Sequence, residues 1–381
     1  YGDVVVRSSE ELVAAVREQP AGSTINIAAG TYQINAPLEP KDGMALQGAG
    51  VDETIITHTP KWKPSKEKLP DSEINMDRID TYAYLVRLQD KAANISISNL
   101  TLRGPQLHGA IFGARNENLH IHNLRIEDVL YCGVRTFYSR RARIHDCEFI
   151  DAGGKWKRGG MPGIDGGISG GAMFVTWMTD SEIAHNRIIG IGEHPVGIAM
   201  FKQFPPGSSV HHNYVEVKCT RSGQEYGYTG SACFRTTWGA DYLDVHDNTF
   251  IGHADVYDGK VAKTRVLWVG LPHFTPKDAT KPITDARGIF RDNQIIARGR
   301  NGAKAGGICV VCLNQSPNLI FRGNTVTSTW ANVLLSDEYG HADGYPKFVG
   351  NAFLREGDFD NYCTILQQSP RRPATGVFLD N

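Results

Sequence analysis

The sequence predicts an all-β fold, a single right-handed parallel β-helix, on three observations. A six-residue pattern occurs nine times. Its first and last residues are apolar, its third is polar or Gly, and its fourth is Asn or a residue that takes the place of Asn. Successive copies lie 23 to 45 residues apart, and the shorter spacings approach one minimal coil. The apolar runs between copies are of strand type and too short for helices. One such unit cannot bury its own apolar face, but stacked units can, so a solenoid of parallel strands is expected.

The recurring pattern also predicts how the coils are held together at one corner. Its copies begin at Ile97, Ile121, Ile144, Ile183, Val210, Val245, Phe290, Phe321 and Phe348. Asn tolerates the left-handed backbone that tight corners need, and its amide can bond the same group one coil away. We therefore expect a ladder of asparagines. A β-sandwich in which the Asn turns coincide by chance is the alternative.

Composition limits the class of protein. The chain has 381 residues, a net charge of −1 and 21% charged residues, which indicates a soluble globular protein and no nucleic-acid partner. The length would allow two domains, but the uninterrupted repeat favours one elongated domain over residues 1–381. No apolar stretch approaches the ~20 residues of a membrane span. A chain that begins at Tyr1 is consistent with a processed protein, so a secreted, periplasmic or cell-surface location is expected.

The first 30 residues predict a cap on the open end of the solenoid. Residues 9–18 form an amphipathic pattern with Ser8 or Ser9 as its N-cap, which is typical of a short helix. The segments Gly30-Thr-Tyr32 and Leu46-Gln-Gly-Ala-Gly50 follow. This order resembles the start of pectate-lyase-like β-helix proteins, and the resemblance implies their architecture for nearly the whole chain.

Four insertions interrupt the repeat and are predicted as loops along one groove. They span residues 58–82, 150–170, 216–230 and 252–285. Long loops on a rigid solenoid normally carry function. We therefore expect the functional site beside them.

The strand before each copy of the pattern predicts a line of charges on the surface. Segments 133–137, 173–177, 200–204 and 233–237 align if Val134, Phe174, Phe201 and Phe234 face inward. Because side chains alternate across a strand, the outward column then holds Arg135, Val175, Lys202 and Arg235. The column beside it holds Phe137, Trp177, Phe204 and Thr237. Aromatic faces stack on sugar rings and cations pair with carboxylates or sulfates, so these columns predict a glycan site. A solvated sheet face with charges aligned by chance is the alternative.

The loops add further candidates for binding and catalysis. The glycine-rich insertion 150–170 resembles a basic flap, with Lys155, Lys157 and Arg158 as cations and Asp151 and Asp165 as carboxylates. Later segments contribute Glu193, His194, Tyr226 and Tyr228. No cofactor is required by these residues, although Asp151 and Asp165 are candidate ligands for Ca²⁺ in a loop.

These residues favour β-elimination on an acidic, uronate-containing polysaccharide. Removal of a proton next to a carboxylate requires positive charge at that carboxylate and a nearby base. Arg135 and Arg235 stay protonated and would neutralise charge. Lys202, with cationic neighbours that lower its pKa, is the expected base, and His194, Tyr226 or Tyr228 the acid or alternative base. The arrangement resembles the general scheme of β-helix polysaccharide lyases. It departs from calcium-dependent pectate lyases, which carry acidic residues on this strand.

Three other functions remain open from the sequence. A uronate C-5 epimerase would use the same residues and return the proton on the opposite face. A glycoside hydrolase needs two carboxylates about 5 to 9.5 Å apart, for which the candidates are Asp151, Asp165, Asp180 and Glu193. A non-catalytic glycan-binding protein would need neither a base nor a pair of carboxylates. The histidines of the recurring pattern (145, 185, 211, 212 and 246) and the pair Cys309 and Cys312 are interpreted as structural, so no metal ligands are assigned.

Overall fold

A computed structural model describes most of the chain. The described residues are 2–65, 72, 79–153, 170–192, 195–201, 206–220, 231–237, 242–257, 259–271, 288–311, 319–336, 346–357, 362–368 and 376–381. The chain divides into two compact units. The first comprises Tyr1–Thr176 with Ser181–Gly190, and the second comprises Trp177–Asp180 with Ile191–Asn381. The single domain expected from the repeat stays a prediction.

The first part of the chain contains one helix and fifteen short strands among the described residues. They are β1 Asp3–Val6, α1 Ser9–Glu18, β2 Thr24–Ile27, β3 Gly30–Ile34, β4 Ala45–Gly48, β5 Thr54–His58, β6 Tyr84–Arg87, β7 Ser96–Arg103, β8 Gly109–Ala114, β9 His120–Glu127, β10 Cys132–Phe137, β11 Arg143–His145, β12 Glu148–Ile150, β13 Gly171–Thr176, β14 Glu182–Ala184 and β15 Arg187–Gly192.

The second part of the described chain contains strands alone. They are β16 Val196–Phe201, β17 Ser208–His211, β18 Tyr214–Cys219, β19 Ala232–Thr237, β20 Leu243–His246, β21 Thr249–Ala254, β22 Val256–Tyr257, β23 Lys260–Val261, β24 Lys263–Leu271, β25 Ile289–Arg291, β26 Gln294–Gly299, β27 Lys304–Val311, β28 Ile320–Arg322, β29 Thr325–Ser328, β30 Ala331–Ser336, β31 Lys347–Val349, β32 Ala352–Arg355, β33 Cys363–Gln368 and β34 Val377–Leu379.

Each unit is a stack of right-handed parallel β-helix coils, as the sequence predicts. In the first unit β6, β8, β10 and β13 pair in that order, while β7, β9 and β11 belong to another sheet. In the second unit β16, β19, β24, β27, β30 and β33 form one series, and β17, β20, β25, β28, β31 and β34 form another. The pairs in these series are parallel, so the wound chain places equivalent positions of successive coils side by side.

The recurring pattern sets the register within each unit. Its first residues pair directly in the first unit, where Ile121 lies opposite both Ile97 and Ile144. The same holds in the second unit, where Phe290 lies opposite Val245 and Phe321. Because each of these residues is fully buried, a slip of one residue would expose the apolar column, and the register is strongly specified.

The expected asparagine ladder is present in the second unit. Its members Asn213, Asn248, Asn293, Asn324 and Asn351 are buried. The Oδ1 atom of each later residue accepts from both the backbone N and Nδ2 of the preceding one, as between Asn248 and Asn293 at 3.1 and 2.9 Å. The residue before each asparagine has a positive φ, 54° at His212 and 52° at Asp247. The left-handed corner therefore lies one residue before each of these asparagines, and the expectation that the asparagine itself adopts this backbone is wrong for this ladder.

The helix α1 confirms the expected N-terminal cap. It begins at Ser9, and the Ser8 hydroxyl accepts a hydrogen bond from the backbone N of Glu11 at 3.1 Å, so Ser8 is the N-cap. Its buried face, Leu12, Ala15 and Val16, packs against β1, β2 and β3.

Two of the predicted loops are partly strand. Residues 216–219 belong to β18, which pairs with β21. The insertion predicted at 252–285 contains the end of β21, a short antiparallel pair of β22 and β23, and the whole of β24. β24 pairs with β19 and β27, because its apolar run Val266–Val269 supplies the coil with a strand. The parts of the four insertions outside the described ranges stay predictions.

Candidate functional site

The predicted column of three outward cations is wrong in its register. Arg135 lies opposite Phe174, one residue before the expected Val175. Arg235 lies opposite Ala199, three residues before Lys202. The register has a steric cause, because a Cβ on Gly197 would fall 2.3 Å from Val215 Cγ1, so only glycine fits beside Cys233 at this point. The predicted alignments of Arg135 with Val175 and of Arg235 with position 202 are therefore wrong, and Lys202 itself lies outside the described residues.

Arg135 and Phe137 form a buried pair, which corrects their predicted roles at the surface. Arg135 is 2% exposed and Phe137 is fully buried. Nη1 of Arg135 donates to the carbonyl of Phe174 at 3.1 Å and to Thr176 Oγ1 at 2.9 Å, and its Cζ lies 3.7 Å from the centroid of the Phe137 ring. The predicted sugar-stacking face of Phe137 is thus covered by a guanidinium of the same unit.

Ten of the predicted site residues lie outside the described part of the chain, so their roles stay predictions. They are Lys155, Lys157, Arg158, Asp165, Glu193, His194, Lys202, Phe204, Tyr226 and Tyr228. Trp177, Asp180 and Asp151 are described, and all three are partly exposed corner residues with φ of 54°, 48° and 48°. The backbone N of Asp151 donates to the carbonyl of Ile189 at 2.9 Å.

The described residues bring cations and indoles together on one series of strands in the second unit. We call Arg235, Lys263, Arg265, Trp268, Lys304 and Trp330 the indole–cation surface. Arg235 lies opposite Trp268 in the register of β19 and β24. The Cζ atoms of Arg235 and Arg265 lie 4.6 and 4.5 Å from the Trp268 ring, distances at which a guanidinium is attracted to an aromatic face.

The other half of the indole–cation surface is a pair of lysines. Lys263 lies opposite Lys304 on the neighbouring strand β27, and Lys304 Nζ lies 5.2 Å from the Trp330 ring. Burial, with the charges of Lys304 and Arg265 adding, lowers the pKa of the Lys263 amine. Directly opposed like charges destabilise a sheet, and an anion bound between them would relieve the repulsion.

Apolar residues hold the indole–cation surface in place. Trp268 is 3% exposed and packs with Ala232, Cys309 and Leu334, and Trp330 packs against the same cluster. On the strand's other side, Phe234 contacts the buried rings of Phe250 and Phe290. Arg235, the next residue in the strand, is therefore directed away from that core, as its partial exposure also indicates.

Comparison with solved structures supports the fold. The chain is similar to the A-module of the mannuronan C-5 epimerase AlgE4 from Azotobacter vinelandii, at 15% identity and a TM-score of 0.57, over 100% of this chain and 92% of that one. It is also similar to the catalytic unit of a thermostable GH87 α-1,3-glucanase from Streptomyces thermodiastaticus, at 14% identity and a TM-score of 0.53. That match covers 97% of this chain and 63% of the glucanase chain.

The protein has the pectate-lyase-like right-handed parallel β-helix fold. The resemblance drawn from the sequence is confirmed at this level. Comparison of the sequence with protein-family models gives no match, and comparison with curated proteins gives none either. Among the described residues no helix is long and apolar enough to cross a membrane.

The residues of the indole–cation surface on β24, β27 and the turn before β30 were missed in the sequence because β24 was predicted as loop. A signal was present. In the run Lys263-Thr-Arg-Val-Leu-Trp268 the two cations alternate with Thr264 and Val266, and the run ends in two apolar residues. Read as a β-helix strand, it would have added two cations and an indole to the series of strands that contains Arg235, although strict alternation would have put Trp268 on the opposite face from Lys263 and Arg265.

A second polar cluster of this β-helix lies on the strands that follow the asparagine ladder. The Tyr214 hydroxyl donates to Glu216 Oε2 at 2.7 Å, and His253 Nε2 lies 2.8 Å from Glu216 Oε1. Burial alone would raise the pKa of Glu216, but the hydrogen bonds from Tyr214 and His253 lower it. This cluster links β18 to β21, so it joins two coils.

Proposed function

We propose that the protein is a polysaccharide-acting enzyme, and specifically a lyase that cleaves a uronate-containing glycan by β-elimination. The indole–cation surface carries the proposal, because Arg235 and Arg265 lie over Trp268, Lys304 lies over Trp330, and Lys263 lies opposite Lys304, in a chain whose net charge is −1. The cations suit the carboxylates of a uronate, and the partly exposed Trp330 offers an indole face to a sugar ring, whereas Trp268 is buried beneath the two guanidiniums and holds them in place. The two β-helix proteins with similar folds are named as enzymes of mannuronan and of α-1,3-glucan, which supports a polysaccharide substrate.

The proposed reaction divides the work between arginines and lysines. A base removes the C5 proton, the electron pair of that C–H bond forms the C4=C5 double bond, and the C4–O bond breaks as the leaving oxygen takes up a proton. Arg235 and Arg265 stay protonated and neutralise the carboxylate as charge develops on it. Lys263 is the base among the described residues, because its lowered pKa increases the fraction of neutral amine.

Residues outside the described ranges complete the proposal. Lys202 remains the base predicted from the sequence. His194, Tyr226 and Tyr228 remain the candidates for the acid that protonates the leaving oxygen. The Ca²⁺ site proposed at Asp151 and Asp165 is separate from this chemistry, since the first step needs only cationic side chains and a base.

A uronate C-5 epimerase is the second candidate function, favoured by the similarity to the mannuronan C-5 epimerase module. Its first step is the same proton removal. A proton then returns to C5 from the opposite face and the C4–O bond stays intact. Reaction in deuterated water separates the two functions, because an epimerase incorporates deuterium at C5 without shortening the chain.

The deciding experiment is a screen of pectate, alginate, glucuronan and glycosaminoglycans. A lyase produces ultraviolet absorbance from the new double bond conjugated to the carboxylate. Deuterium incorporation at C5 without that absorbance would show that the function is epimerisation and not β-elimination. Reducing ends from a neutral glucan, with neither signal on the four uronate polymers, would overturn both.

Replacement of Lys263 tests the assignment of the base. We expect Lys263→Ala to lower kcat by about 10²–10⁴-fold. We expect Lys263→Arg to be similarly impaired, because arginine keeps the charge and cannot act as a base. The exposed Lys347 provides the control variant Lys347→Ala. The thermal unfolding temperature of Lys263→Ala should be unchanged or higher, because the repulsion by Lys304 is lost. Full activity of Lys263→Ala together with an inactive Lys202→Ala would assign the base to Lys202.

A further inference from the structure

Two successive coils of the second unit place histidines side by side at the asparagine corner. His211 and His212 follow Val210, and His246 and Asp247 follow Val245. β17 and β20 pair with His211 opposite His246, and the two imidazole rings stack with centroids 4.9 Å apart and an angle of 13° between their planes. The corner thus carries three imidazoles and one carboxylate on adjacent turns.

The ligand atoms at this corner are close enough to share one ion. One nitrogen each of His212 and His246 and one carboxylate oxygen of Asp247 all lie within 4.8 Å of one another. His246 Nδ1 lies 2.7 Å from Asp247 Oδ2, and the side chains of these two residues are 17% and 43% exposed. Ligands on one tetrahedral zinc lie about 3.3 Å apart, since Zn–N and Zn–O bonds are each about 2.0–2.2 Å. A movement of each ligand atom by about an ångström, through rotation of these exposed or partly exposed side chains, therefore suffices to bring the atoms together.

The corner itself does not require these residues. Position three of the pattern needs a left-handed backbone, and glycine meets that need at Gly323 and Gly350 in later coils, with φ of 64° and 59°. His212 has the same backbone conformation with a φ of 54°. A histidine at that position followed by a His-Asp pair one coil later supplies metal-ligand chemistry that a structural corner lacks.

We propose that His212, His246 and Asp247 form a binding site for a divalent transition metal ion of the Zn²⁺ type. Two imidazole nitrogens and one carboxylate oxygen are a zinc-type ligand set, and they are poorly suited to Ca²⁺, which prefers oxygen ligands. His211 is a positioning residue, because its Nδ1 lies 2.9 Å from Nδ1 of His212 and one of these nitrogens donates to the other. The ion would tie two successive coils together. The proposal is independent of the reaction at the indole–cation surface.

Calorimetric titration of the full, tag-free chain with ZnCl₂ tests the site. We expect His212→Ala, His246→Ala and Asp247→Asn each to weaken zinc binding by about tenfold or more. The matched control is His253→Ala, because His253 also contacts a carboxylate, Glu216, at 2.8 Å but is not part of a three-ligand group among the described residues. This control should bind zinc as the unsubstituted chain does. Excess Ca²⁺ should leave the titration unchanged.

Two measurements keep the result independent of folding. Asp247→Asn preserves the size of the side chain and its tolerance of the left-handed corner, so its circular dichroism in EDTA should match that of the unsubstituted chain. Co²⁺ should give a visible spectrum of low-symmetry coordination that is lost in His246→Ala. The proposal is overturned if the unsubstituted chain does not bind zinc at micromolar concentration, or if the three variants bind it as tightly.

Discussion

At the scale of single residues, buried polar side chains determine how the coils are held in register. Asn293 accepts from the backbone N and Nδ2 of Asn248, and its own Nδ2 donates to the carbonyl of Val245 and to Asn324 Oδ1, both at 2.9 Å. Every polar atom of this side chain therefore has a partner in a dry environment. Such a network is stable only when it is complete, because each group left without a partner carries its full desolvation penalty.

Asn293→Ala should destabilise the protein by about 2–3 kcal/mol, because the backbone N of Asn248 loses its acceptor while staying buried. Chemical denaturation measures the change in the free energy of unfolding. The control is Gln294→Ala, since Gln294 is the exposed neighbour on the same coil. Equal stability of the two variants would contradict the assigned role of the ladder.

At the scale of structural elements, strands β9 and β11 bring three histidines of the first unit together. His120 Nε2 lies 2.6 Å from His145 Nε2, and the rings of His122 and His145 stack with centroids 5.4 Å apart. Burial lowers the pKa of His120, with His122, His145 and Arg143 adding to the effect. Burial also lowers the pKa of His122, with His145 adding, while Asp146 opposes the shift. Both imidazoles therefore resist protonation in the folded state.

We expect the free energy of unfolding to fall as pH drops below 6.5, the ordinary pKa of histidine. Between the ordinary and the lowered pKa values the unfolded chain binds more protons than the folded chain, so protonation favours unfolding. His122→Gln should make this fall shallower in denaturation curves measured across the pH range. His253→Gln serves as the control on another strand pair. A fall of unchanged steepness in His122→Gln would assign the acid sensitivity to other groups.

At the scale of the whole molecule, a net charge of −1 hides a local concentration of positive charge. The cations of the indole–cation surface belong to three strands that are far apart in sequence and adjacent in the sheet, β19, β24 and β27. Much of the remaining charge is paired across neighbouring coils, as between Arg125 and Glu148 or Arg291 and Asp244. If the substrate is an anionic polymer, as proposed, these cations would attract it in spite of the near-neutral total.

If that attraction drives binding, added salt should raise KM for a uronate polymer and leave the unfolding temperature nearly unchanged. The Debye length falls from about 10 Å at 0.1 M to about 3 Å at 1 M, which screens partly exposed cations. Steady-state kinetics at several salt concentrations, with sulfate avoided, measure the effect. Arg265→Ala should show a weaker salt dependence than the unsubstituted chain. A KM independent of salt would argue for a neutral glycan.

The sequence by itself determined the coil, its corner and its cap. These features depend on contacts between equivalent positions of neighbouring copies, so the period of the pattern contains the information. The apolar first position specifies the buried column, the fourth-position Asn specifies the ladder, and Ser8 specifies the start of α1. The first two are local features that successive coils repeat, and the third is a local N-cap that occurs once.

Only the tertiary structure decided which strand residues meet on the surface. Loops of unequal length separate the strands, so similar-looking segments such as 133–137 and 233–237 give no register across them. Packing inside the coil sets it instead, as at Gly197, where a Cβ would fall 2.3 Å from Val215 Cγ1 and 2.5 Å from the carbonyl oxygen of Cys233. That packing buried Arg135 with Phe137, and it placed Lys263, Arg265 and Trp268 beside Arg235. A shift of one residue turns a side chain to the other face, so the site depended on information that the period of the repeat does not contain.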